Sequence, residues 1–163
     1  MNSDSNEKKY NKIAYRIGSI QDMVKDKDVE SIIDYSTQSE DVDSVTSEDI
    51  RHLLPKKYLD FSKTIKQLGG QLLYIKSGST GHTFKGVHTD NPEKPNYAVK
   101  IVAYPKKENY GDLFNVKRPE NAELLMIKLL SFFVRNNQTP HIVLPITTFN
   151  TSIKPFLNLP KNN

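Results

Sequence analysis

The stretch from residue 71 to residue 103, QLLYIKSGSTGHTFKGVHTDNPEKPNYAVKIVA, decides the fold of this 163-residue chain. Two apolar segments, residues 71–76 and 82–88, are joined by a turn that contains two glycines, which is typical of a β-hairpin. The proline-containing cluster at residues 89–95 predicts a further turn. Residues 96–103 then read as a buried strand, so the stretch predicts an antiparallel meander.

A helical lead-in is predicted ahead of this meander, over residues 47–70. Ser47 is its candidate N-cap, and Pro55 opens a clearer helix. Gly69 and Gly70 end it, because glycine accepts the left-handed conformation at a helix terminus. Apolar residues recur along it at steps of three and four, as on one helix face: Tyr58, Phe61, Ile65 and Leu68.

A second helix is predicted from Arg118 to Asn136. It is apolar almost all round, so we expect it to be largely buried. Residues 142–149 are predicted to form a last strand, and residues 150–163 a polar C-terminal tail. Residues 71–149 are therefore expected to form one α+β domain, in which an antiparallel sheet of at least four strands packs on this long helix.

The N-terminal segment differs in composition from the rest of the chain. Residues 1–50 hold 6 Lys or Arg against 12 Asp or Glu, a net charge of −6, whereas residues 51–163 hold 17 against 7, a net of +10. Residues 1–46 have few large apolar side chains to offset the entropy of ordering, about 1–2 kcal/mol per residue. We therefore expect an acidic, weakly structured segment outside the core, with at most a short helix within residues 20–35.

The basic portion admits two interpretations. One is a nucleic-acid-binding surface. The other, which we favour, is a solvated surface, because the basic residues are not interleaved with aromatic residues as a stacking platform requires. They include Lys56, Lys57, Lys63, Lys66, Lys106, Lys107 and Lys117.

Several classes of protein are excluded by composition. The chain has no cysteine, and hence no disulfide, thiolate metal site or thiol nucleophile. Its four histidines lack metal-ligand spacing, so we expect no metal site in these residues. No apolar run approaches the roughly 20 residues of a membrane span, and the N-terminus has no signal-peptide core. We expect a cytoplasmic protein without membrane contact.

Candidate chemistry lies in the meander and the helix that follows it. A loop that covers phosphates needs glycines, because side chains block close approach of the backbone to an anion. Gly78 and Gly81 meet this need within KSGSTGHT, residues 76–83. In Tyr97-Ala-Val-Lys100, alternation puts Ala98 and Lys100 on one face of the strand. Glu123, early in the apolar helix, is the candidate counter-charge for Lys100.

These segments together resemble the N-terminal, ATP-binding lobe of protein kinases. The kinase loop reads G-x-G-x-x-G-x-V, followed by V-A-I-K and a glutamate on the next helix. Here Lys76 replaces the first glycine and Thr83 replaces the valine. Residues 123–130 and 139–143 are similar to the kinase helix and to its junction with the next strand. In its Asn- and Lys-rich wording, the sequence further resembles the protein-kinase-like proteins of giant DNA viruses.

The resemblance implies a set of site residues. Lys100 and Glu123 would be the catalytic ion pair, and ATP would lie against the loop and the lysine strand, with Mg²⁺ only in a full-length kinase. The implied ATP-binding residues are Gly78, Ser79, Thr80, Gly81, Thr83, Ala98 and Lys100. Other interpretations stay open: the glycines form a plain hairpin turn, Lys100 extends from a sheet edge, Glu123 is ordinary first-turn charge, or Glu120 serves instead.

The motifs H-R-D-x-x-x-x-N and D-F-G, which supply the catalytic base and hold Mg²⁺, do not occur in these 163 residues. We therefore expect an ATP-binding segment of a serine/threonine kinase-like protein that is inactive as this chain alone. The alternative is a non-catalytic interaction or virion structural protein built on a kinase-like lobe. In either case we expect a second copy or a partner protein to cover the helix from Arg118 to Asn136.

Overall fold

The computed structural model describes residues 12–29, 31–35 and 58–157. Among these residues, two helices precede a run of three consecutive strands, and two further helices and a 3-10 turn follow it, as in an α+β domain. The elements are α1 (Ile13–Val24), α2 (Phe61–Leu68), β1 (Gln71–Gly78), β2 (Gly81–Val87), β3 (Tyr97–Ile101), α3 (Lys107–Tyr110), α4 (Pro119–Arg135) and a 3-10 turn (Lys154–Phe156).

The predicted meander is confirmed as a three-stranded antiparallel sheet in the order β1-β2-β3. Gly78 pairs with Gly81, so the glycine turn forms the tip of the first hairpin, as predicted. The pairing of β1 with β2 shifts by one residue between Tyr74 and Lys76, which leaves Ile75 as an extra residue. Such a bulge changes which face the residues beyond it occupy.

The expectation of at least four strands is wrong within the described residues. Residues 142–149 adopt no strand pairing, and only Asn150 forms an isolated bridge, with Tyr58. Pro145 lacks the N–H that a central strand must donate. A carbonyl group of the segment instead accepts a hydrogen bond from a side chain, because the Tyr35 hydroxyl donates to Pro145 O at 2.6 Å.

Helix α2 begins later than predicted. It starts at Phe61, where the Asp60 carboxylate caps it by accepting from the backbone N–H of Lys63 at 3.2 Å. Tyr58, expected on the helical face, precedes the helix and is exposed. Gly69, at φ 77°, ends α2 as predicted. The predicted starts at Ser47 and Pro55 lie outside the described residues.

The main core lies on one face of the sheet, where α2 and the 3-10 turn cover it. Strand residues Leu72, Phe84 and Tyr97 are buried there with Phe156, whose ring centroid lies 5.6 Å from that of Phe84. From α2, three apolar side chains join the same cluster: Phe61, Ile65 and Leu68. The opposite face of the sheet therefore remains available to a ligand.

The expectation that residues 1–46 lie outside the core is wrong for the described part of that segment. Helix α1 buries Ile20 against Val134 and Leu144. The Arg16 guanidinium donates to the carbonyl oxygens of Pro140 and Ile142, the latter at 2.6 Å. An apolar stripe that is sparse in sequence becomes stable because α4 supplies the surface against which it packs.

Helix α4 is confirmed within one residue at each end, with Arg118 and Asn136 as its caps. The expectation that it is largely buried is wrong. Its fully buried residues are Asn121, Ser131 and Val134, whereas Met126 is 54% exposed and Phe133 38% exposed. No helix among the described residues is long and apolar enough to cross a membrane.

Candidate functional site

The two glycines of the hairpin tip have different structural roles. A Cβ added at Gly81, where φ is 151°, would overlap the carbonyl oxygen of Ile101 in β3. Packing within the sheet therefore explains Gly81 without any ligand. A Cβ added at Gly78 would meet nothing closer than 3.9 Å, and Gly78 has no positive φ. The fold thus does not require glycine at 78, whereas a ligand approaching the backbone would.

Strand register places the other predicted binding residues on the sheet face opposite the core. Phe84 points into the core, so its neighbour Thr83 points the other way. Thr83 pairs with Lys100, and Lys85 pairs with Ala98. Thr83, Ala98 and Lys100 therefore share one face, and both Ala98 and Lys100 are exposed on it. Ser79 and Thr80 form the turn between the paired glycines.

Helix α4 brings Glu123 to this face. The Lys100 ammonium lies 2.5 Å from Glu123 Oε1 and 2.6 Å from Oε2, so the predicted ion pair is confirmed in its geometry. The pair is not buried, because the Lys100 and Glu123 side chains are 37% and 35% exposed. Exposure to solvent weakens the contribution of this ion pair to folding. The same exposure leaves the Lys100 ammonium accessible to a phosphate.

Sequence reasoning missed the residue that fixes the start of α4. Arg118 is 1% exposed, and its guanidinium Nε donates to Glu120 Oε1 at 2.7 Å. It also donates to the carbonyl oxygens of Pro105 and Gly111, each at 3.2 Å. Glu120, the alternative partner for Lys100, is therefore committed to Arg118. A basic residue directly before a Pro-Glu helix start was the available signal.

The loop before α4 is fixed by the same helix end. The Asn121 side-chain amide donates to the carbonyl oxygens of Leu113 and Asn115, at 2.8 and 2.9 Å. Arg118 also lies over the ring of Tyr104, 5.7 Å from its centroid. Burial, together with the nearby Glu120 carboxylate, raises the pKa of the Tyr104 hydroxyl. These contacts hold the N-terminal turn of α4, and hence Glu123, at a fixed position relative to β3.

The site has the residues that would hold the phosphate end of a nucleotide. The open approach to Gly78 and the accessible ammonium of Lys100 both fit an anion. Within residues 12–29, 31–35 and 58–157, no group of three His, Asp or Glu side chains is placed to hold a metal ion.

Comparison with known proteins gives one clear relationship. Over 108 residues, 66% of the chain, the sequence is 48% identical to a mimivirus protein named "Putative serine/threonine-protein kinase R400". The chain is a homologue of a giant-virus protein-kinase-like protein. The predicted resemblance to a protein-kinase-like protein of a giant DNA virus is thereby confirmed.

The homologous region is only part of the relative. The matched segment spans 23% of the length of the mimivirus protein. No family model matches the kinase-like chain, and no solved structure gives a significant match. The chain therefore corresponds to only a segment of its mimivirus relative.

Proposed function

We propose that this chain is the nucleotide-binding part of a serine/threonine protein kinase whose remaining catalytic groups lie in a longer polypeptide. The observation that carries the proposal is the Lys100–Glu123 ion pair, which lies on the sheet face opposite the core. A carboxylate at 2.5 Å holds the ammonium in one position, from which it can contact the α- and β-phosphates of ATP.

The other residues of the face have distinct roles in this proposal. Gly78 lets the hairpin backbone approach the phosphates, and Ala98 leaves room for the flat base beside Lys100. ATP, when bound, would supply the phosphoryl group to be transferred. The catalytic-loop and D-F-G motifs are not in these 163 residues, so the chain by itself binds nucleotide weakly and transfers no phosphate.

Titration with ATP and Mg²⁺, followed by NMR, tests the proposal. We expect weak binding, with a Kd of about 1 mM, equivalent to about −4 kcal/mol, and resonance shifts at residues 78–81 and Lys100. Lys100→Ala should remove most of this binding, whereas Lys94→Ala, in the distant turn before β3, should not. Absence of shifts at the hairpin, or equal effects of the two variants, would refute the proposal.

A second function is favoured by a different observation. Met126 and Phe133 lie seven residues apart, on the same face of α4, and both are exposed. Val143, shortly after the helix, is also exposed. We propose that this apolar stripe binds a protein surface, either a second copy of the chain or a partner, so that the lobe also serves as an interaction module.

A further inference from the structure

The bulge at Ile75 changes the face on which Lys76 lies. Without it, strict alternation from Leu72 and Tyr74, which point into the core, would put Lys76 in the core as well. With Ile75 as the extra residue, Lys76 pairs with Thr83, which in turn pairs with Lys100. The three residues therefore form one row across the sheet, on the face that carries the Lys100–Glu123 pair.

Side-chain contacts on the other face support this register. The Ser77 hydroxyl hydrogen-bonds to the Tyr74 hydroxyl at 2.7 Å and to His82 Nδ1 at 2.9 Å. Ser77 and His82 therefore lie on the core side with Tyr74. Because neighbouring strand residues point to opposite faces, Lys76 points to the side of Thr83 and Lys100.

The charges in this row are unbalanced. Strands lie about 5 Å apart, so the backbones of Lys76 and Lys100 are separated by about 10 Å, within reach of two long side chains. Lys85 is on the same face, paired with Ala98. Glu123 is the carboxylate that bonds Lys100, and no described ion pair neutralises Lys76. The excess positive charge lies beside the open backbone of Gly78.

We propose that Lys76 is a second phosphate-binding lysine, which replaces the backbone contact of a loop glycine with an ammonium. The ligand class is a polyphosphate chain held between Lys76 and Lys100, with Thr83 between them. The inference rests on the proposed nucleotide-binding function. It assigns to Lys76, which stands where the kinase loop has its first glycine, a role in selecting the length of the phosphate chain. It predicts preference for the longer phosphate chain, triphosphate over monophosphate.

The test uses the 163-residue chain and inorganic tripolyphosphate, with binding followed by NMR at low and high salt. Lys76→Met keeps the length of the side chain and removes its charge, and we expect a three- to tenfold weaker Kd. Lys76→Arg should retain binding, and Lys94→Met is the matched control on a distant turn. Since exposed charges are screened by salt, the difference between wild type and Lys76→Met should shrink at high salt.

The outcomes separate this inference from the function on which it rests. If Lys100→Met weakens tripolyphosphate binding while Lys76→Met does not, Lys76 is not a phosphate ligand and the nucleotide-binding proposal stands. If the wild-type chain binds no tripolyphosphate, both proposals fail. Equal losses for Lys76→Met and Lys94→Met also overturn the inference, because they would reflect net charge alone.

Discussion

At the scale of single residues, the two hairpin glycines show how a motif mixes structural and functional constraints. In the sequence, both belong to one candidate phosphate-binding pattern, yet the fold itself requires a glycine only at position 81. Its Cβ position is occupied by the backbone of β3, whereas the space above Gly78 is open. The spacing of glycines in a sequence does not carry this distinction, because it arises from how closely a third strand approaches.

Alanine substitution at the two positions should therefore affect different properties, folding stability at Gly81 and ATP binding at Gly78. Gly81→Ala should lower the free energy of unfolding by about 1–3 kcal/mol, from overlap with Ile101 and from its positive φ. Gly78→Ala should change it by less than about 0.5 kcal/mol but weaken ATP binding. Urea denaturation measures the first effect and NMR titration the second. A Gly78→Ala chain as unstable as Gly81→Ala would contradict this assignment.

At the scale of elements, two ion pairs on α4 are expected to contribute very differently to stability. The Arg118–Glu120 pair is buried and also holds two loop carbonyls. The Lys100–Glu123 pair is about one-third exposed. Removal of one partner of a buried pair leaves an uncompensated charge, whereas water solvates what remains of an exposed pair. The first pair thus positions the helix, and the second is available for a ligand.

Substitution of each cation by methionine tests this division. Arg118→Met should lower the free energy of unfolding by about 3–5 kcal/mol, and Lys100→Met by less than about 1 kcal/mol. The double variant Arg118→Met with Glu120→Met should recover part of the loss, because no buried charge is left. Urea denaturation of all four chains gives the comparison. Equal destabilisation by Arg118→Met and Lys100→Met would show that the helix start does not depend on the buried pair.

At the scale of the whole molecule, α1 covers part of the apolar surface of α4. The contact combines the Ile20, Val134 and Leu144 cluster with hydrogen bonds from Arg16 to two carbonyl groups. Met126 and Phe133 remain exposed. Large apolar patches are uncommon on monomers. The surface of α4 that α1 covers and the exposed side chains of Met126 and Phe133 therefore each lead to a separate expectation about association.

Removal of residues 1–46 should make the chain associate, because it uncovers Val134 and Leu144. Light scattering should show a larger mass than for the intact chain at the same concentration. Arg16→Met is the matched control, since it removes the hydrogen bonds and retains the apolar cover. Lys substitutions at Met126 and Phe133 should reduce any association of the intact chain. A stable, non-aggregating monomer after the deletion would mean that α4 needs no cover from α1.

The sequence by itself determined the local features: the hairpin with its glycine tip, the third strand with Lys100, and both ends of α4. These depend on periodicity, turn residues and caps within a few positions of one another, which a sequence displays directly. Only the tertiary structure decided the conformation of residues 142–149, the packing of α1, the contacts of Arg118 and the sheet face on which Lys76 lies. Each depends on a contact between distant segments or on a one-residue bulge, and a bulge reverses a face without changing the sequence pattern that precedes it.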